Sequence, residues 1–188
     1  MHLALWSPTS HQGNARFASV NELGDGRVAR NAIQRWEMNE MLNRSFITPD
    51  NMWARVQKTE QCPDGERLYT PIVVVSDDTH THIQLTGQTA TSTDGEVISS
   101  DMRTQIRQVC EKIGIALGHV GATFDDVVTS TTYVLDLQEY YAVSDERFKF
   151  FKNNRPASTL IQISALGNPK CKVEITCQAI VETERLTV

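Results

Sequence analysis

The chain has 188 residues, a formal net charge of −5 and 40% hydrophobic residues. That length supports one full core plus an extension, and the composition is that of an ordinary globular protein rather than a nucleic-acid tail, which would need a block of like charge. The longest apolar run, Ile72 to Val75, is too short to span a bilayer.

Met1 to Trp6 lacks a basic start and is interrupted by Ser7-Pro8, so it does not read as a signal peptide. Cys62, Cys110, Cys171 and Cys177 form no CxxC pair and no disulfide-like spacing. Cys110 and Cys177 fall on apolar faces, where a thiol acts as a small hydrophobe, and the expected compartment is the reducing cytoplasm.

Residues 1–65 differ from the rest. Pro8, Gly13, Gly24 and Gly26 mark loops, and a helical stripe of Val28, Ala32, Trp36 and Met41 runs from Asp25 to Asn43. Trp6, Trp36 and Trp53 give this segment large apolar groups to bury, so it is expected to pack on the main domain, residues 66–188, or on a neighbouring subunit.

Pro71 to Val75 is a continuous β-branched run, as in a strand buried on both sides. After a turn at Asp77-Asp78-Thr79, His82 to Gln88 alternates, with Ile83 and Leu85 inward and His82, Gln84 and Thr86 outward. A helix is predicted from about Asp101 to Leu117, capped by Ser99 or Ser100, with Met102, Ile106, Val109, Cys110, Ile113, Ala116, Leu117 and Val120 in one apolar stripe. A β-branched strand, Asp126–Leu135, leads to a capping box at Asp136 and Glu139. The helix it opens places Tyr140, Tyr141, Phe148 and Phe151 on an apolar side and stops before Pro156. Strands near 159–165 and 171–181 close the chain. The order β-β-α-β-α-β-β fits an α+β sheet with both helices on one face, leaving the other face as an oligomer surface.

Several motifs have plain structural accounts. His80 and His82 could point the same way, but a metal needs a third ligand, so no metal site is expected. Arg147 to Arg155 interleaves basic and aromatic residues, yet helical spacing sends Phe148 and Phe151 to the core and Lys149 and Lys152 to the dipole-favoured last turn. Ser158 lacks the glycine-flanked elbow of a nucleophile, and nothing places His119 beside it. Glu174 is the informative residue: a carboxylate on the polar side of the closing strand is either solvated or held in a cleft, where it could activate water.

Together, Leu68-Tyr69-Thr70-Pro71, Leu85-Thr86-Gly87-Gln88, Val127 to Leu137, Arg155-Pro156-Ala157 and Val173-Glu174-Ile175 resemble the YjgF/YER057c/UK114 family, also called Rid (reactive intermediate deaminase), in family order from about Leu68 to Val181. The resemblance implies a chorismate-mutase-like α+β subunit, a homotrimer, and ligand clefts at the subunit interfaces. It implies hydrolysis of a small imine or enamine acid to a keto acid and ammonia without metal or organic cofactor. By position, Tyr69 would line the cleft, Gly87 would form its glycine turn, and Glu174 would be the glutamate associated with the attacking water. Deaminating members carry after Pro-Ala an arginine that clamps the substrate carboxylate, and here that position is Ser158. A serine hydroxyl cannot replace a bidentate guanidinium. Three readings follow: a diverged enzyme acting on another imine, enamine or related intermediate of a dedicated pathway; an ordinary imino-acid deaminase in which Arg155 or an arginine of the extension replaces the clamp; or a ligand-binding or interaction module without catalysis.

Overall fold

Alternation and turn chemistry from Leu68 onward build one mixed, largely antiparallel sheet, seen in a computed structural model that describes residues 42–50, 52, 56–63 and 65–188. The strands are β1 (Asn43–Ile47), β2 (Val56–Gln57), β3 (Glu66–Arg67), β4 (Ile72–Ser76), β5 (His80–Leu85), β6 (Gln88–Thr89), β7 (Val127–Val134), β8 (Ala157–Gln162) and β9 (Val173–Glu182). The main sheet runs β1-β4-β5-β9-β7-β8, with β6 also paired to β9, while β2 and β3 form a separate ribbon. Among the described residues, only the β7–β8 pair is parallel. That pairing follows from the helical crossover between the two strands, which a two-residue hairpin could not provide.

The first long helix, α1 (Met102–His119), buries every residue of the predicted stripe against the sheet. Its cap is Asp101, one residue later than expected, whose Oδ2 accepts from the Thr104 backbone N–H at 2.8 Å. Gln105, which the apolar pattern passed over, is fully buried on the same stripe. Its amide donates to the carbonyls of Ser99 (2.8 Å) and Lys170 (2.9 Å) and accepts from the Lys172 N–H (2.7 Å). Those bonds fix the entry of β9 two residues before Glu174.

Asp136 caps the second helical region as predicted, its Oδ1 accepting from Gln138 and Glu139 N–H groups. The region is not one helix, however. It divides into α2 (Leu137–Tyr141) and α3 (Asp145–Phe148). Bonds from Val143 to Tyr140, Glu146 to Val143 and Arg147 to Ser144 are of the tighter i→i−3 kind, so the 3.6-residue period is lost between them. In consequence Tyr141 and Phe148 face outward, contrary to expectation, while Tyr140 and Phe151 are buried. Phe151 packs edge-on against Phe124 at 4.8 Å.

The strand at 72–76 alternates rather than being buried on both sides. Ile72 and Val74 face the core, whereas Val73 and Val75 are partly exposed on the helix-free face. That face lacks a covering layer within the described residues. The helix expected from Asp25 lies outside the described residues up to Met41, and its expected stop, Asn43, opens β1. Trp6, Trp36 and Trp53 also lie outside them. β1 pairs antiparallel with β4 and extends the sheet by one strand. Among the described residues, no helix is long and apolar enough to cross a membrane.

Candidate active site

Of the sequence-predicted site residues, the structure brings Tyr69, Gly87 and Glu174 together. They line a cleft of about 510 Å³ with Thr86, Thr89, Thr91 and the Gly167–Pro169 loop. Strand pairing sets this up: β6 lies against β9 with Thr89 opposite Glu174 and Gln88 opposite Ile175. The alternation of β9 sends Val173 and Ile175 into the core, so Glu174 projects from the other face.

Gly87 matters through what it lacks. A Cβ built on it would lie 1.9 Å from Glu174 Oε1 and 2.7 Å from its Cδ. The carboxylate therefore occupies the space that a side chain at residue 87 would fill. Glu174 is half-buried, and no group among the described residues donates a hydrogen bond to it. Burial alone pushes its carboxyl above the usual carboxylate range, because a charge taken partly out of water is disfavoured. A carboxylate in this state can accept a proton from a water or substrate held beside it.

Lys112 braces the cleft-lining Thr89–Thr91 segment. Its ammonium donates to the Thr89 carbonyl at 3.2 Å and to Thr91 Oγ1 at 3.0 Å, tying α1 to the cleft-lining segment. Burial lowers its pKa. Sequence reasoning passed over this residue, although a lysine three residues after Val109 and four before Ala116 falls within the apolar stripe. A charged group on a buried stripe is the signal that would have marked it.

The other two predicted site residues do not enter the cleft within one chain. Arg155 lies with its guanidinium carbon 5.4 Å from the centre of the Phe148 ring. Ser158 stands on β8 opposite Ser130 of β7, and its Oγ lies 3.0 Å from Ser130 Oγ. Ser130 is itself opposite Cys177, whose side chain is in the core. Cys177 and Glu174 are three residues apart on one strand, so the two sites use opposite faces of the sheet. Arg147, which the sequence placed in a basic-aromatic run, is 8% exposed and donates from Nη2 to Ser130 Oγ (2.7 Å) and Ser158 Oγ (3.3 Å).

A layered α+β subunit with this strand order and a cleft at the β6–β9 junction is the chorismate-mutase-like architecture. The sequence profile of the family described as Endoribonuclease L-PSP matches residues 59–181, and the chain belongs to that family, the YjgF or Rid family. Among its relatives, human 2-iminobutanoate/2-iminopropanoate deaminase is 30% identical over 128 residues, which cover 67% of this chain and 89% of that protein. A RutC family protein of Pyrococcus abyssi is 31% identical over 72 residues, 38% of this chain, which spans about 57% of that relative's length. A solved structure of a conserved Rid family protein from Yersinia pestis superposes with a TM-score of 0.62 at 24% identity, covering 74% of this chain and all of that one. A YjgF/YER057c/UK114 family member from Mycobacterium tuberculosis is 27% identical with a TM-score of 0.54, again covering 74% and 100%.

Proposed function

We propose that the protein is a Rid-type deaminase that hydrolyses a small imine or enamine to a carbonyl compound and ammonia, with Glu174 handling the attacking water. The observation that carries this reading is the half-buried Glu174 carboxylate seated over the side-chain-free Gly87 in the cleft lined by Tyr69. Family membership and the similarity to the human imine deaminase support it. In the step itself, water adds to the imine carbon as Glu174 accepts one of its protons. That proton passes to nitrogen to give an amino alcohol. Its remaining hydroxyl proton then moves to nitrogen as the C=O bond forms and the C–N bond breaks, so that ammonia leaves. An enamine enters the same course after tautomerising to its imine. No metal or organic cofactor is required by that chemistry.

The finer reading is a diverged member acting on a reactive intermediate of a dedicated pathway, within clefts between the copies of a homotrimer. Ser158 in place of the clamping arginine supports divergence. The partly exposed apolar side chains of the helix-free face support assembly. The test is ammonia release from freshly generated 2-aminoacrylate. Wild type should accelerate it, and Glu174→Gln should lower the rate by about 10²- to 10⁴-fold, the usual contribution of a positioned base. If Glu174→Gln leaves activity and ligand binding unchanged, the assignment of Glu174 fails. If wild type is inactive on 2-aminoacrylate but consumes another imine in a Glu174-dependent way, the diverged reading stands. Loss of 2-aminoacrylate activity in Arg155→Ala would instead favour an ordinary deaminase with a substitute arginine.

A further inference from the structure

A buried guanidinium normally meets a carboxylate, because its charge is costly to desolvate alone. Arg147 has none within salt-bridge distance among the described residues, while its neighbour Glu146 draws in Arg103, Arg107 and Lys149. Arg147 is instead held by the Phe151 ring, 4.3 Å from the guanidinium carbon, and by two serine hydroxyls. Its Nε is buried without a partner among the described residues. Nη1 makes no hydrogen bond among the described residues either.

The hydroxyl protons can be assigned from this arrangement. Guanidinium N–H groups only donate, so Ser130 Oγ accepts from Arg147. Ser130 is 4% exposed, and its own O–H has one hydroxyl neighbour to receive it, Ser158 Oγ at 3.0 Å. Ser158 then accepts from both Arg147 and Ser130, which leaves its proton to point away from them. Ser158 is exposed on the edge strand β8. The edge thus presents an outward O–H backed by an unneutralised guanidinium.

We propose that Arg147 and Ser158 form an anion-binding site on the β8 edge for the carboxylate of a small organic acid, with Arg147, rather than Arg155, as its source of positive charge. A single guanidinium charge behind the outward Ser158 hydroxyl matches the single charge of a carboxylate; a phosphate dianion has more charge and more acceptors than this pair satisfies. Ser130 acts as a positioning residue that turns the Ser158 hydroxyl outward. The site stands on this geometry and does not depend on the chemistry assigned to Glu174.

The experiment uses the full chain with three probes: 2-oxobutanoate, its neutral counterpart 2-butanone, and inorganic phosphate. Binding is measured by titration calorimetry and by side-chain NMR of ¹⁵N-labelled arginine. Expected are a shift of the Arg147 guanidinium signals on adding 2-oxobutanoate, at least ten-fold weaker binding in Arg147→Met, and a few-fold weakening in Ser158→Ala. Binding of 2-butanone should not respond to either change. Ser158→Ala alters an exposed side chain and keeps the test valid if Arg147→Met fails to fold. The proposal is overturned if 2-oxobutanoate leaves the arginine signals unmoved, if folded Arg147→Met or Ser158→Ala binds it as wild type does, or if phosphate binds more tightly than the carboxylate. Loss of 2-oxobutanoate binding in Glu174→Gln alone would place the carboxylate in the cleft and also overturn it.

Discussion

Gly87 and Glu174 are coupled by space rather than by a bond, which makes their separate effects predictable. In Gly87→Ala the new methyl would sit 1.9 Å from Glu174 Oε1, the mobile end of a flexible side chain, so the carboxylate can swing away at little conformational cost. The expected stability loss is below about 1 kcal/mol, while the deaminase rate should fall by about ten-fold or more as the base leaves its position. A thermal melt paired with the ammonia assay separates the two; a large melting shift with unchanged turnover would contradict this reading. The titration of Glu174 follows from its burial. Its raised pKa means that the base form is lost on acidification at a higher pH than for an ordinary glutamate, so the acidic limb of kcat/KM should lie above the usual carboxylate range. Loosening the site in Gly87→Ala should move that limb down toward it, because a carboxylate displaced toward solvent loses the desolvation that raised its pKa.

At the scale of elements, Glu146 is the pin between α1 and α3. Its buried carboxylate takes hydrogen bonds from Arg107 (2.7 Å), Lys149 (2.6 Å) and Arg103 (3.3 Å). The Arg107 bond first, and Lys149 next, hold its pKa down to about 2, against an ordinary value of 4.5. A depressed folded pKa contributes stability above the unfolded value, and that contribution is lost as pH falls from about 4.5 toward about 2. Glu146→Gln should therefore be less stable than wild type at neutral pH, with the two denaturation midpoints converging across that window. A constant gap down to pH 2 would show that shape rather than charge is what Glu146 contributes. The same region shows where sequence reading stops. The α1 stripe and the β5 alternation were legible because each is set by a local period that the fold keeps. The Asp136 cap was legible as well, since it satisfies backbone donors two and three residues away. The break after Tyr141 was not, because it depends on the contacts of Glu146 with residues some forty positions earlier in the chain. With the period interrupted, Phe148 turned outward and Arg147 inward, reversing the roles that uninterrupted helical spacing gives them. For the cleft, spacing marked Glu174 only as a polar strand residue. Its neighbours Tyr69 and Gly87 came from family resemblance, since nothing local ties residues 69 and 87 to 174. Lys112 and Gln105 were legible in principle as polar groups on a buried stripe, and their partners in the 89–91 and 170–172 segments were not.

At the scale of the whole molecule, the helix-free face is where the proposed assembly would form. Cross-strand pairing sets Phe46 beside Val73 and places Val75 in a row with His82 and Ile180. Phe46 is 68% exposed, and Val73, Val75 and Ile180 are only partly covered. A sheet that buries one face under helices and leaves β-branched and aromatic groups on the other has apolar surface to remove from water, and a symmetric oligomer is the usual means. The homotrimer proposed above would place copies of this face around a common axis. Light scattering after size-exclusion chromatography should then give a mass of about three times the 21.1 kDa chain. Val75→Glu introduces a charge on this face without touching the core-facing Val74, so the fold should survive while like charges from the copies repel one another. The expected product is a folded chain of 21.1 kDa with unchanged far-UV circular dichroism. Its catalytic behaviour then tests where the cleft is completed. Because Glu174 and Ser158 use opposite faces within one chain, a substrate needing both would require a second copy, and monomeric Val75→Glu would lose turnover. Full turnover in the monomer would confine the chemistry to the Tyr69–Gly87–Glu174 cleft of a single chain. A Val75→Glu protein that remains trimeric would show that assembly does not run through this face.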